Sequence, residues 1–539
     1  MAAVWPRPRT VDVAEEVVWF SPEAVCQYRQ LDNQKSAEET ANTVARVFER
    51  TKESILKFPL VLQKLRRQDV PIEPPIRTAE ATIVRDIVVE EVISNPKEWY
   101  HLHLGTDGKC LIKIGSHVAF NRAMATFAQL FLSHPDGQSG LYCASCPLTI
   151  EDDAFFEHRG LNLDISRNVI YPTDVLRVLE GMWLNKMNKL HVHATDSQSW
   201  PLEIPSIPEL AEKGAYGPHQ VWTAADVEHV QQFGQDRGIE VYFEIDLPGH
   251  SASVHHSFPE LVVAYNQQPW TQYAKEPPAG QLKLKSKLVR DFISRLFDDL
   301  LPRVAKHSTL FHIGGDELNK KAYTLEEGVE SDSIEVLQPL LQSFFDHCIA
   351  KLDENGLDAV LWEEVLLKWD IKFPKSTIIQ SWRSQESLSR IVKRGHRALF
   401  GPSKYWYLDT GMGNWLEPDP NNPDTPIKPP FHDWCPPYKN WRHIYAYNPL
   451  EGIEEANRGL VHGGEVHLWS EMVDSVCLDF MLWPRVAAAA EVLWSGPSTL
   501  DEGVTLRLAE MRERLVLMGI RSNMVQMEWS LRNPGGSLR

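Results

Sequence analysis

From about residue 155 onward the chain keeps one rhythm: a short apolar run ending in polar residues, then a stretch with helical spacing. Eight such runs can be read: Gly160–Ile165, Lys189–Ala194, Ile239–Ile245, Thr309–Ile313, Ala359–Trp362, Thr377–Gln380, Ala398–Phe400 and Glu465–Trp469. Helical spacing fills Pro172–Leu184, Ala224–Arg237, Leu288–Leu301 and Val336–Lys351 between several of them. Repeated units of this kind predict parallel strands with right-handed crossovers. Eight of them predict an α/β fold of the closed (β/α)8 TIM type, whose chemistry sits at the C-terminal strand ends. The stretch from Pro402 to Gly464 is too long to be a simple connector, and its Pro, Gly and Trp content predicts an active-site loop.

Residues 1–154 read as a smaller α+β domain preceding the barrel at 155–539. Ala37–Leu65 has helical spacing, Ala81–Ile93 alternates like a strand, and Trp99–Leu104 with Cys110–Ile114 flank the turn signal Gly105-Thr106-Asp107-Gly108. Val118–Phe131 returns to helical spacing. No catalytic cluster is visible in this part, so its expected role is scaffold. The end after Leu531 reads as loose.

The net charge of −18 argues against nucleic acid and anionic membrane surfaces as partners. No apolar run reaches the roughly 20 residues of a membrane span. Met1–Pro8 shows no apolar leader and no Asn-x-Ser/Thr sequon occurs, which points to an intracellular protein or a trimmed secreted or lysosome-like form. Seven cysteines are an odd number, so at least one is unpaired within the chain. Cys143-x-x-Cys146 lacks the second pair of a zinc ribbon, so no metal and no cofactor is expected. Cys435 and Cys477 could bridge if oxidised.

The strand ends carry the chemistry. In Phe311-His312-Ile313-Gly314-Gly315-Asp316-Glu317 a buried strand delivers two adjacent carboxylates to its C-terminal edge. Such a pair also fits a helix cap and a first-turn acid. His191 and His193, two apart, face one side of a strand. That spacing keeps open a metal-dependent amidohydrolase-like barrel. Asp196, His250 and Glu317 end three successive strands and can form a relay that adjusts the protonation of an acid. Trp362, Trp382 and Trp469 end three later strands, and the 18 tryptophans suit either a core or sugar-stacking surfaces.

His312-x-Gly-Gly-Asp316-Glu317 resembles the signature of glycoside hydrolase family 20, the β-N-acetylhexosaminidases. Asn185-Lys186-Met187-Asn188-Lys189-Leu190-His191-Val192-His193-Ala194-Thr195-Asp196 resembles a second family segment, with Ser197 where the family often has another Asp. Arg159-Gly160 and Tyr405-Trp406-Tyr407-Leu408-Asp409 are similar to two more, and Trp5-Pro6-x-Pro8 to the start of mature members. The resemblance implies an exo-acting, retaining enzyme that removes terminal β-linked GlcNAc and GalNAc, with the substrate's 2-acetamido group as nucleophile. It implies that Glu317 is acid and then base, that Asp316 orients the acetamido group, and that Asp196 and His250 are linked to Glu317. Arg159 would hold ring hydroxyls, Tyr407 the acetamide oxygen, Asp409 and Glu471 the outer hydroxyls, and Trp362, Trp382 and Trp469 an aromatic box. The implied partners are β-linked GlcNAc or GalNAc termini, chitooligosaccharides among them, and a second copy in a homodimer. A non-catalytic sugar-binding relative is the other alternative.

Overall fold

The computed structural model describes residues 3–29, 37–61, 74, 76–92, 95, 98–417 and 429–533. Its first unit is a sheet of β1 (Thr10–Arg29), β2 (Ile83–Glu91), β3 (Tyr100–Leu104), β4 (Lys109–Ile114), β5 (Leu132–Ser133) and β6 (Leu141–Asp152), in the order β1-β2-β4-β3-β6-β5. β3 and β4 form an antiparallel hairpin about the Gly105–Gly108 turn, with Leu104 opposite Cys110. β1 was not legible as a strand because Glu15, Glu16, Pro22 and Glu23 interrupt it. It bulges between Phe20 and Val25, pairing with β6 before the bulge and with β2 on both sides of it. Helices α1 (Ala37–Lys57) and α2 (His117–Leu130) cover the sheet. The stretch 62–65, read as more helix, lies outside the described residues, as do 534–539 of the expected loose end.

The second unit is a closed parallel barrel of β7 (His158–Asp164), β8 (Lys189–His193), β9 (Glu240–Glu244), β10 (Leu310–His312), β11 (Asp358–Trp362), β12 (Ile378–Ser381), β13 (Arg397–Phe400) and β14 (Val461–Leu468). Each expected run lies on one of these strands. The intervening helices include α3 (Pro172–Leu184), α4 (Ala224–Gln235), α5 (Lys287–Val304), α6 (Ile334–Glu354) and α7 (Gln385–Lys393). Helices α8 (Arg485–Ser495) and α9 (Glu502–Leu517) close the C-terminal side.

The period-2 pattern of the strands sorts the residues. Leu161, Leu163, Leu190, Val192, Val241 and Phe243 pack outward into the main apolar core with the helices. Their alternates Asn162, His191, His193, Glu244 and Glu465 point inward and are fully buried, hydrogen-bonded to one another. The barrel interior is therefore polar, and a buried polar interior is stable only when its groups are paired.

The two units are joined by buried charge. Glu98 lies 2.7 Å from Arg159 and 2.8 Å from Arg122, and Lys186 reaches Asp152 at 2.8 Å. Trp5 is fully buried and donates its indole N–H to the Ala487 carbonyl at 3.0 Å. No described helix is long and apolar enough to cross a membrane. All seven cysteines are free, Cys435 and Cys477 included.

Candidate active site

The end of β10 explains its two glycines. Gly314 has φ +74°, and a Cβ there would lie 1.9 Å from the Asp246 carboxylate; at Gly315, φ +95°, it would meet Val365 at 2.5 Å. Only glycine lets this turn press against the β9 end and donate the Gly315 N–H to Asp246 at 2.9 Å. The chain then throws Glu317 into the left-handed region, φ +47°, and His250 opposite it stands at φ +44°.

Asp316 and Glu317 diverge in environment. Burial, together with the neighbouring Asp246 carboxyl, pushes the Asp316 carboxyl well above its ordinary value. Glu317 is only partly buried, and against that burial the His250 imidazole, with Lys275 and Arg383, holds it below the usual range. His250 Nε2 is 3.6 Å from Glu317 and 4.0 Å from Asp316, and its Nδ1 is 3.0 Å from Asp196. Burial would lower the His250 imidazole, but Asp196 and Asp316 carry it well above 6.5. One strand end thus presents a carboxyl that keeps its proton beside one that shares a proton with an imidazole.

Aromatic rings wall the same space. Trp469 lies 6.0 Å from Trp362 and 6.2 Å from Tyr407; Tyr407 is stacked 6.1 Å from Trp382. Trp362 is anchored by its indole N–H on Glu244 at 2.8 Å, and Trp382 by Glu364 at 3.1 Å. Asp409 accepts from the Trp469 backbone N–H at 3.3 Å, and burial lifts its carboxyl to about 7. Glu471, raised well above the usual range by burial, senses Arg167 and Asp409.

Arg159 does not belong to this group. It is the second residue of β7, ~17 Å of strand before the C-terminal edge. Its guanidinium is spent on Glu98, the Lys186 carbonyl at 2.9 Å, the Phe156 carbonyl at 2.8 Å and the Trp494 face at 5.0 Å. Arg167, just beyond the same strand, stands where Arg159 was expected: 2.8 Å from Asp196, 2.6 Å from Glu276 and 5.3 Å from the Trp469 ring. The strand polarity of Arg159-Gly160-Leu161-x-Leu163-Asp164-x-Ser166-Arg167 was the signal, since only its last arginine follows the strand. Glu276, Lys275 and Arg383 come from loops without a pattern, and Asp246 stands one residue past the Ile239–Ile245 run, a strand-end position that was its signal. Trp434, 61% exposed, is edge-on to Trp382 at 6.1 Å.

The histidine pair of β8 is committed to carboxylates. His193 meets Glu244 through Nδ1 at 2.6 Å and Asp196 through Nε2 at 2.8 Å. Two ligand-like triads, His191–Glu244–His312 and Asp196–Asp246–His250, place their atoms within 4.8 Å. His193 belongs to neither triad, and its two nitrogens are taken up by Glu244 and Asp196. A cavity of about 1530 Å³ opens at the other end of the barrel, lined by Lys189, Glu240, Asp358 and Arg397 among others, and contains none of the catalytic candidates.

The family profile described as "Glycosyl hydrolase family 20, catalytic domain" matches residues 156–497, and one described as "beta-acetyl hexosaminidase like" matches residues 4–130. A beta-hexosaminidase of Arthroderma benhamiae is 39% identical over 592 residues, covering 99% of this chain and 97% of that protein. A chitooligosaccharidolytic beta-N-acetylglucosaminidase of Bombyx mori is 29% identical, with 83% and 76% covered. Among solved structures, an exo beta-N-acetylglucosaminidase of family 20 from Vibrio harveyi, in complex with N-acetylglucosamine, superposes with a TM-score of 0.76 at 22% identity, covering 98% of this chain and 79% of that one.

Proposed function

The chain belongs to glycosyl hydrolase family 20 and is an exo-β-N-acetylhexosaminidase, and on that premise we propose how its residues divide the reaction. Glu317 gives a proton to the glycosidic oxygen and later takes one from water. Asp316 receives the 2-acetamido N–H of the substrate and holds that group against the anomeric carbon, where its oxygen attacks and forms an oxazolinium ion. Tyr407 donates to the acetamide oxygen. Arg167, Asp409 and Glu471 take the ring hydroxyls, and Trp362, Trp382 and Trp469 surround the sugar.

The observation that carries this reading is the placement of Glu317 3.6 Å from His250, which is itself 3.0 Å from Asp196, beside Asp316 at the mouth of a space walled by Trp362, Trp382, Tyr407 and Trp469. Sequence neighbours on one strand end cannot straddle a sugar as an acid and a nucleophile, which a two-carboxylate retaining enzyme needs about 5–5.5 Å apart. In the empty site the shared proton rests on His250. A bound sugar excludes water, which disfavours the His250–Glu317 charge pair and returns the proton to Glu317. The metal-dependent alternative loses its ground with the family match. The relative from Bombyx mori points to chitooligosaccharides as substrates. GalNAc termini and assembly as a homodimer are further parts of this proposal.

Glu317→Gln tests it. Hydrolysis of chitobiose, whose leaving group needs a proton, is expected to fall by about 10²–10⁴-fold. Hydrolysis of a dinitrophenyl N-acetylglucosaminide, whose leaving group does not, should change far less. Undiminished chitobiose cleavage would remove Glu317 from the acid role. A thiazoline mimic of the oxazolinium ion should inhibit strongly, and indifference to it would count against acetamide participation.

A further inference from the structure

Behind the three relay groups a chain of imidazoles and carboxylates in close contact continues into the barrel. His158 Nε2 meets Glu465 at 2.7 Å, and Glu465 meets His191 Nδ1 at 3.1 Å. His191 Nε2 meets Glu244 at 3.0 Å, and Glu244 meets His193 Nδ1 at 2.6 Å. His193 Nε2 then meets Asp196, which faces His250 and through it Glu317. Alternating carboxylates and imidazoles thus run from the cavity at one end of the barrel, which His158 lines, to the acid at the other.

We propose that Glu244 is a positioning residue of the reaction: through His193 it holds Asp196 turned toward His250, and so governs proton delivery by Glu317. The proposal rests on the reading of Glu317 as the acid. An imidazole can donate to two carboxylates only when both its nitrogens carry protons. Glu244 is the group that stabilises this state of His193 in a fully buried position. Without its charge, His193 reverts to a neutral tautomer that is free to turn its lone pair toward Asp196. Asp196 is then left with Arg167 as its remaining buried cation besides His250 and can rotate away from the relay.

The surroundings support a charge held in place. Glu244 is faced by His191 and His193 from β8, His312 from β10 and the Trp362 indole from β11, with Asp246, Tyr242 and His467 at longer range. His312 Nδ1 lies 2.9 Å from the Gly314 nitrogen and 3.0 Å from Glu244, and burial keeps its imidazole low. Burial likewise holds His467 neutral, at about 3. His193 is faced by Asp164 and Arg167 from the β7 edge, Asp196, Glu244 and the Trp469 ring at 5.0 Å. Burial alone would lower it, but Glu244 and Asp196 carry it up to about 10. His250 is faced by Asp196, Asp246, Glu276, Arg167, Asp316 and Glu317. Tyr242, His191 and His312 stack with 4.7 Å between successive rings, which leaves the Glu244 carboxylate little room to move.

Glu244→Gln keeps the shape and removes the charge. On chitobiose, kcat should fall about tenfold or more with KM within about twofold, since Glu244 does not touch substrate. The alkaline limb of the pH profile for kcat/KM should move by about half a unit or more. Cleavage of the dinitrophenyl glycoside should stay within about threefold, because that leaving group needs no acid. In the Glu317→Gln background the same change should cost chitobiose hydrolysis nothing further. Equal losses on both substrates, or additive losses in the double variant, would overturn the proposal. If Glu317→Gln itself damages both substrates equally, the acid reading fails; if it is selective and Glu244→Gln is not, only this inference fails. Should Glu244→Gln not fold, ¹⁵N-histidine spectra of the His250→Asn protein at pH 8 should still show a fully protonated buried ring, His193. Finding none would refute the charge assignment and with it the proposal.

Discussion

Exchanging the roles of two arginines makes a sharp prediction. Arg159→Ala removes a fully buried guanidinium that ion-pairs with Glu98 at 2.7 Å and bonds the carbonyls of Lys186 and Phe156. Breaking a buried ion pair by losing one partner costs about 3–5 kcal/mol. Glu98 keeps Arg122 at 2.8 Å, which places that part at the low end. The two stranded carbonyls add about 1 kcal/mol each if water cannot reach them, for a total of about 4–5 kcal/mol. The thermal midpoint should drop by several degrees while KM for an aryl N-acetylglucosaminide stays within about twofold. Arg167→Ala should lower the midpoint as well, since it strands Asp196 and Glu276, but unlike Arg159→Ala it should also damage turnover. Losing charge-assisted hydrogen bonds to two hydroxyls costs about 1.5–3 kcal/mol each, so kcat/KM should fall by about 10²-fold or more. Differential scanning calorimetry and steady-state kinetics on the two proteins decide the matter. A raised KM with an unchanged midpoint in Arg159→Ala would refute the placement of both residues.

Asp316→Asn keeps the size of the side chain but cannot orient the acetamido N–H as a carboxylate does; kcat should fall about 10²-fold with the melting midpoint unchanged or higher, because the Asp246 pairing no longer crowds two acids. Tyr407→Phe should cost about tenfold or more in kcat and little in KM, as expected for a donor that strengthens in the transition state. Glu98 makes stability depend on pH: burial opposes its charge, but Arg159 and Arg122 hold it down at about 2. A depressed carboxyl stabilises the fold above its unfolded value, and this contribution disappears as pH falls from about 4.5 toward 2, worth roughly 3 kcal/mol. Acid unfolding of Glu98→Gln should show a flatter slope in that window, and identical slopes would exclude the assignment.

The barrel was legible because its eight strands carry apolar runs on an outward face that must meet helices, and the period-2 alternates put His191, His193 and Glu244 inside. The site was legible where one strand end concentrated it, at Asp316 and Glu317, and at the Asp196 and His250 edges. Its failure at Arg159 has a physical reason. Both arginines belong to one motif, and only the direction of the strand says which of them reaches the chemical edge. The loop groups Lys275, Glu276, Arg383 and Trp434 had no periodicity to betray them. Strand β1 hid because a chain serving two partners and broken by a bulge need not alternate cleanly.

The positive φ angles of Glu317 and His250 bear on how this protein would respond to selection for heat resistance alone. A side chain in the left-handed region is tolerated at a cost of about 1 kcal/mol or more, which glycine does not incur. Replacing either residue by glycine would therefore relax the backbone while abolishing turnover, so a library screened only for survival at high temperature would drift toward inert proteins. Thermal hardening of this scaffold has to be sought in the helices and the outer sheet, with activity counted in every round.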